Sequence, residues 1–256
     1  MRQYTYLLIA LATLLGWSCE REILSVPSTP TAAGARIKLI HSAPDAAPVD
    51  LYVDGQRISA GLPTGASSIS AGTGTSTAIA YGNTFPGPTA SYAIVPARQA
   101  AYMLSSPAST TAGSATTVAT QTLSLADGAN YSLITYGTGP QPQVTVLTDD
   151  FSAANDPSKF YVRFINIIAN GPAYDVALSS GQTIMTNVPY QSRSPFTAID
   201  ISNNASFTFR ATGTTTTIGT LTFTGSTAGR VLTIIAQGVV GRTGAQAPRL
   251  IAYVNR

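Results

Sequence analysis

The stretch RIKLIHSAPDAAPVDLYVDG, Arg36–Gly55, returns in outline 125 residues later as YVRFINIIANGPAYDVALSS, Tyr161–Ser180. The two align without a gap. Only Ile40/Ile165 and Asp50/Asp175 are identical, but the pattern of apolar residues is shared. Ile37 and Leu39 match Val162 and Phe164; Val49, Leu51 and Val53 match Tyr174, Val176 and Leu178. Apolar residues at every second position are the mark of a strand with one buried face. A turn-rich connector, Ser42–Pro48 or Ile167–Ala173, separates the two runs. Each copy therefore reads as strand, short loop, strand, and is expected to open its own β-domain.

The later parts of the two halves also align. Thr116–Thr120 and Leu123 match Thr216–Thr220 and Phe223, and Tyr131–Ile134 with Gly137 match Leu232–Ile235 with Gly238. The offset here is 100 or 101 rather than 125, so the first half carries about two dozen extra residues, placed in or near 61–90.

The composition agrees with an all-β chain. Charged residues make up 10% of 256, against about 25% in an ordinary soluble domain. Beyond Glu22 there is no glutamate, and Lys38 and Lys159 are the only lysines, so the usual surface of a helix is missing. Thr, Ser, Gly and Ala alternate instead with Val, Ile, Tyr and Phe. Strand patterns recur at Ser91–Val95, Ala100–Leu104, Thr116–Leu125, Asn130–Tyr136 and Gln143–Thr148. In the second half they fall at Thr197–Ile201, Ser206–Arg210, Thr214–Thr224, Arg230–Gln237 and Arg249–Val254. Asp127-Gly128 and Asn203-Asn204 read as turns between strands. The expected fold is two tandem Ig-like β-sandwich domains, residues 36–150 and 159–256, joined by the short polar linker Asp149–Ser158 as beads in line, with room to pack on each other.

Residues 1–19 read as a targeting segment. Arg2 supplies a positive end, and Tyr6–Trp17 is an apolar run of 12 residues, short of the roughly 20 a membrane span needs. Cys19, the only cysteine, cannot form an internal disulfide. Leu14–Cys19 resembles a bacterial lipobox, which implies lipidation of Cys19; the alternative is a cleaved secretory signal with an incidental cysteine. Residues 20–35 carry Pro27, Pro30 and Gly34 among small polar residues and read as a flexible tether.

The opening stretch resembles the start of the DUF4397 family, through His41, Pro44, Asp45, Val49, Asp50, Tyr52, Val53, Asp54 and Gly55. The second copy departs from it at Asn166, Asn170 and Ser179-Ser180, while Val188–Tyr190 and Ser194–Phe196 resemble the family's middle segment. The resemblance implies two tandem copies in a lipoprotein of Bacteroidetes type, for which Glu20-Arg21-Glu22 resembles a surface-export signal. It implies no activity.

Candidate chemistry is sparse. His41 is the only histidine, and Asn166 at its counterpart cannot act as a general base, so it is expected to hydrogen-bond the connector. Asp45, Asp50 and Asp54 form one carboxylate cluster, with a spacing that matches no EF-hand loop. Asp50 and its counterpart Asp175 are expected to be structural. One histidine and one cysteine cannot build a zinc site, and no phosphate loop or nucleophile elbow is present. We therefore expect no enzyme activity, no metal and no cofactor. A net charge of +3 without a basic stripe gives no footprint for nucleic acid. The expected role is that of a structural or adhesive outer-membrane lipoprotein, periplasmic or surface-facing, with the membrane and another envelope protein as partners. The alternative is glycan binding through aromatic residues of the inserted stretch, Tyr81, Phe85 and Tyr92, since sugar rings stack on flat apolar faces; Tyr81 and Tyr92 read equally as inward strand residues, aligned with Tyr190 and Phe196, whereas Phe85 has no counterpart.

Overall fold

The computed structural model describes residues 33–61, 75–76, 78–90, 92–107, 115–201 and 203–256. Cys19 and residues 62–74 lie outside them. The first half runs β1 (Ala35–His41), β2 (Asp50–Val53), β3 (Gln56–Arg57), β4 (Ala60–Gly61), β5 (Thr75–Ser76), β6 (Thr84–Phe85), β7 (Ala93–Val95), β8 (Gln99–Ser106), β9 (Thr116–Ser124), β10 (Asn130–Tyr136) and β11 (Gln143–Thr148). The second runs β12 (Phe160–Asn166), β13 (Tyr174–Leu178), β14 (Thr183–Val188), β15 (Ser192–Arg193), β16 (Thr197–Ile199), β17 (Asn203–Ala211), β18 (Gly219–Ser226), β19 (Val231–Gln237) and β20 (Arg249–Val254). One short 3-10 turn, Gly244–Gln246, precedes β20.

Each half is a sandwich of two sheets with the same strand order. The outer sheets are β3-β2-β8-β9 and β14-β13-β17-β18. The inner sheets are β11-β10-β1-β6, with β7 also on β1, and β20-β19-β12-β15, with β16 also on β12. In both inner sheets the opening strand pairs in parallel with a late one, β1 with β10 and β12 with β19. The chain makes that parallel crossover by way of the outer sheet. Asp54 and Gly55 both have positive φ, 47° and 80°, the conformation an Asp-Gly hairpin turn needs between β2 and β3. The extra residues of the first half fall mainly in the β4–β5 excursion and in 86–92.

The alternating pattern is read out as expected. Ile37, Leu39, Val49, Leu51 and Val53 lie in the first sandwich core. Val162, Phe164, Tyr174, Val176 and Leu178 lie in the second. Three details differ. β14 is not among the expected strands: Thr183–Val188 is rich in β-branched residues but does not alternate, Asn187 takes φ 52°, and its ladder with β13 is bulged. Asn203-Asn204 is no turn: it begins β17 at a bulge, where Asn204 takes φ 46° and its Oδ1 accepts the Gly225 N–H at 2.8 Å. The strand expected from Thr214 starts only at Gly219.

The largest difference concerns the other face of β1 and β12. Both strands are buried on both faces. The two inner sheets pack on each other through Ile40, Ile134 and Leu147 from the first half and Ile165, Ile167, Ile235 and Tyr253 from the second. The halves are not beads in line; they form four stacked sheet layers, with one sandwich core on each side of a central seam.

Candidate functional site

The seam gathers most of the buried charge. Register shows it to be nearly two-fold: Lys38 faces Ser132 in one inner sheet, and Arg163 faces Thr233 in the other. The next partners along, Leu147 and Tyr253, correspond in the same way. These side chains point away from both sandwich cores because β1 and β12 alternate, and odd-numbered Ile37 and Leu39 already occupy the core face.

Asp149, just after β11, is the hub. Its Oδ1 accepts from Arg163 at 2.6 Å, and its Oδ2 accepts from Tyr92 at 2.7 Å and Ser132 at 2.5 Å. Arg163 also donates to Thr233 at 2.9 Å and lies over the Phe196 ring at 4.6 Å. Both partners of the ion pair are sealed from solvent, with side chains 3% and 0% exposed. Asn255 donates to the Tyr92 hydroxyl at 2.6 Å and accepts from Thr233 at 2.7 Å. The Ser132 and Tyr253 hydroxyls are 2.8 Å apart. Burial pushes the phenol pKa values of Tyr92 and Tyr253 up.

Lys38 is fully buried, yet its ammonium has three carbonyl acceptors: Ala90 at 2.7 Å, and Gly87 and Val254 at 3.3 Å. It also sits 5.6 and 5.5 Å from the Tyr92 and Tyr253 ring centres. Desolvation lowers its pKa to about 8, and the charge of Asp149 works in the other direction. At one end of the seam Arg242 clamps both oxygens of Asp45, which also accepts the Gly139 N–H at 2.9 Å. The guanidinium, with that N–H, holds Asp45 down to about 2.

The candidate residues read from sequence are dispersed. His41 is buried and its pKa is lowered by burial, against a smaller raising effect from the Ala47 carbonyl. Its Nε2 lies 3.0 Å from the Ala47 carbonyl and its Nδ1 2.9 Å from Thr135 Oγ1. Ala47 can only accept, so Nε2 carries the proton and Nδ1 accepts from the Thr135 hydroxyl. Asn166 does the corresponding work: its amide donates to Val188 and Pro172 carbonyls, and its oxygen accepts the Ile168 N–H. Both residues brace the connector that follows their strand. Asp50 accepts from Ser59 at 3.0 Å. Asp175 accepts from the Asn187 N–H at 2.9 Å and Thr212 at 2.8 Å. Asp54 accepts the Ala101 N–H and pairs with Arg98. The carboxylates Asp45, Asp50 and Asp54 thus turn to separate partners and do not converge on one point.

The three aromatic residues do not form a loop platform. Tyr92 is 8% exposed, and its hydroxyl is bonded to Asp149 and Asn255 in the seam. Phe85 pairs with Leu39 in β6 and packs half-buried on the first core. Tyr81 stacks under the Arg249 guanidinium at 5.2 Å. Packing of the halves on each other is allowed for by the sequence, but the residues of the seam are not named by it. The signal was present in the gapless alignment, where Lys38 and Arg163 are matching cations on the face opposite the core.

Comparison with known proteins adds the following. Residues 35–177 match the family described as Domain of unknown function (DUF4397), a span that covers the first sandwich, β12 and all but the last residue of β13. No curated protein matches the chain. Among solved structures, one described as "Alpha-glucan recognition by family 41 carbohydrate-binding modules from streptococcal virulence factors" aligns over 87% of this chain and 98% of that chain. It does so at 13% identity with a TM-score of 0.23, too distant a likeness to argue from. Because the match spans more than half of the chain, the chain belongs to the DUF4397 family, whose function is unknown.

Proposed function

We propose that this protein is a non-enzymatic, lipid-anchored lipoprotein of the cell envelope, of Bacteroidetes type. It consists of two tandem copies of one domain fused into a rigid structural or adhesive module. The observation that carries this reading is the seam. Arg163, Asp149, Lys38, Asp45 and Tyr92 are spent on holding the halves together, and His41 and Asp175 on bracing loops within them. A group with all its hydrogen bonds satisfied by the fold is poorly placed for acid–base or metal chemistry. The apolar run ending at Cys19 and the tether 20–35 support an anchor outside the folded part. A glycan-binding role through Tyr81, Phe85 and Tyr92 has less support, because two of the rings pack into the fold and the third is covered by Arg249.

The test is fractionation of cells producing wild type or Cys19→Ser. Wild type is expected in the outer-membrane fraction and the variant in the soluble fraction. A variant that still sediments with membranes refutes the anchor. Protease added to intact cells then separates a surface-facing from a periplasmic orientation.

A further inference from the structure

The two sandwiches share a strand order but not a filling. In the second, β17 and β18 bring Ala205 opposite Phe223, Phe207 opposite Leu221 and Phe209 opposite Gly219. The rings then close the interior: Phe160 lies 6.3 Å from Phe207 and 5.7 Å from Phe223, and Tyr174 lies 5.4 Å from Phe209. Gly219 is required there, because a Cβ would come within 2.9 Å of the Phe209 ring. The edge strand β18 lies against the other edge strand, β20.

The first sandwich has the same ladder, with Leu104 in the place of Phe209 and Leu123 in the place of Phe223. Ala100 stands opposite Leu123, Tyr102 opposite Gln121 and Leu104 opposite Ala119. On the facing sheet Ala35 and Leu39 take the places of Phe160 and Phe164. The rings of Phe160, Phe164, Phe209 and Phe223 are thus absent here while Tyr102 keeps the ring of Phe207, and Gln121, in the place of Leu221, is exposed to solvent. What remains between β9 and β11 is an open cleft of about 360 Å³, walled by Leu51, Leu104, Val118, Leu123, Leu133 and Val144, with Tyr102. That volume lies within the range of small-molecule sites, about 300–1,000 Å³.

Three further observations define the occupant. Tyr102 is 3% exposed, and its hydroxyl is buried with no hydrogen-bond partner among the described residues. A buried polar group without a partner is costly, so this one calls for a bonding group from outside. No charged side chain among the described residues lines the cleft, so an ion would be desolvated there without compensation. Pro142 lies at the head of β11 and offers no N–H, which makes this edge a poor template for an added strand.

We propose that the cleft between β9 and β11 is a binding site for a small, neutral, mainly hydrocarbon molecule with one hydrogen-bonding group, which the Tyr102 hydroxyl meets. This assignment stands apart from the anchor and the seam. The experiment is a fluorescence titration of the full chain with N-phenyl-1-naphthylamine, a neutral probe with two aromatic systems and one N–H. Wild type is expected to bind it saturably, one to one. Gln121→Leu/Leu123→Phe, which installs the second sandwich's residues, is expected to weaken binding at least about tenfold without lowering the melting temperature. Leu123→Phe alone serves if the double variant fails to fold. Tyr102→Phe is expected to weaken binding severalfold with the fold intact. No saturable binding by wild type, or equal binding by a folded filled variant, overturns the proposal. Unchanged affinity in Tyr102→Phe overturns the role given to the hydroxyl. A wild-type dimer that the filled variant turns into a monomer overturns it too, giving the cleft to a second copy of the chain.

Discussion

Removing the charge of Asp149 tests the seam most directly. In Asp149→Asn the side chain keeps its shape and one oxygen, so Tyr92 and Ser132 keep an acceptor, while Arg163 loses its counter-charge at 3% exposure. Breaking a buried pair from one side costs about 3–5 kcal/mol, because the remaining charge is desolvated without a partner. The Phe196 ring 4.6 Å away and Thr233 soften this only partly. Against a usual total of about 5–15 kcal/mol for a domain, the loss is large. Arg163→Met combined with Asp149→Asn removes both charges and is expected to recover much of the loss, since an apolar replacement of a buried pair is often near neutral. The assay is urea unfolding of the full chain followed by far-UV circular dichroism, because the single tryptophan, Trp17, lies outside the described residues. A loss below about 1 kcal/mol in Asp149→Asn, the size of an exposed ion pair, would refute the seam as a sealed electrostatic joint.

Two further outcomes follow from the same geometry. Burial holds Lys38 at about 8, against an ordinary 10.5, so the unfolded chain binds more protons than the folded one between those values. Stability owed to this residue therefore rises with pH across that window, by about 3 kcal/mol in all. Lys38→Met should flatten that rise in denaturation curves taken from pH 7 to 10; an unchanged slope would show that Lys38 does not cause it. Separately, residues 33–150 and 156–256 each keep a sandwich core but would expose the seam when divided. Mixed, they are expected to form a one-to-one complex that melts above either half, and absence of binding at micromolar concentration would count against the seam as described.

Much of the fold was legible in the chain because alternation is a local property. Ile37, Leu39, Val162 and Phe164 announce a buried face whatever lies beyond it, and the gapless repeat of that pattern predicts two sandwiches. His41 and Asn166 could likewise be assigned to their connectors, since their partners lie within a few residues for Ala47 and Pro172. The inserted stretch is legible as an excess of length in or near 61–90, and Tyr92 as either a loop aromatic or an inward strand residue; that it joins the seam is not. What only the tertiary structure decided is the fate of the opposite face. Lys38, Ile40, Arg163 and Ile165 are compatible with a solvated surface as long as each half is considered alone. They become buried because two inner sheets meet there, and Asp149, Tyr92 and Asn255 arrive from distant parts of the chain to neutralise and hydrogen-bond them. The cleft has the same origin: Leu104, Ala119, Gln121 and Leu123 are ordinary strand residues one by one. Only their pairing side by side in β8 and β9, set against β17 and β18, shows that rings closing the second half are missing from the first, since packing is a property of pairs brought together by the fold.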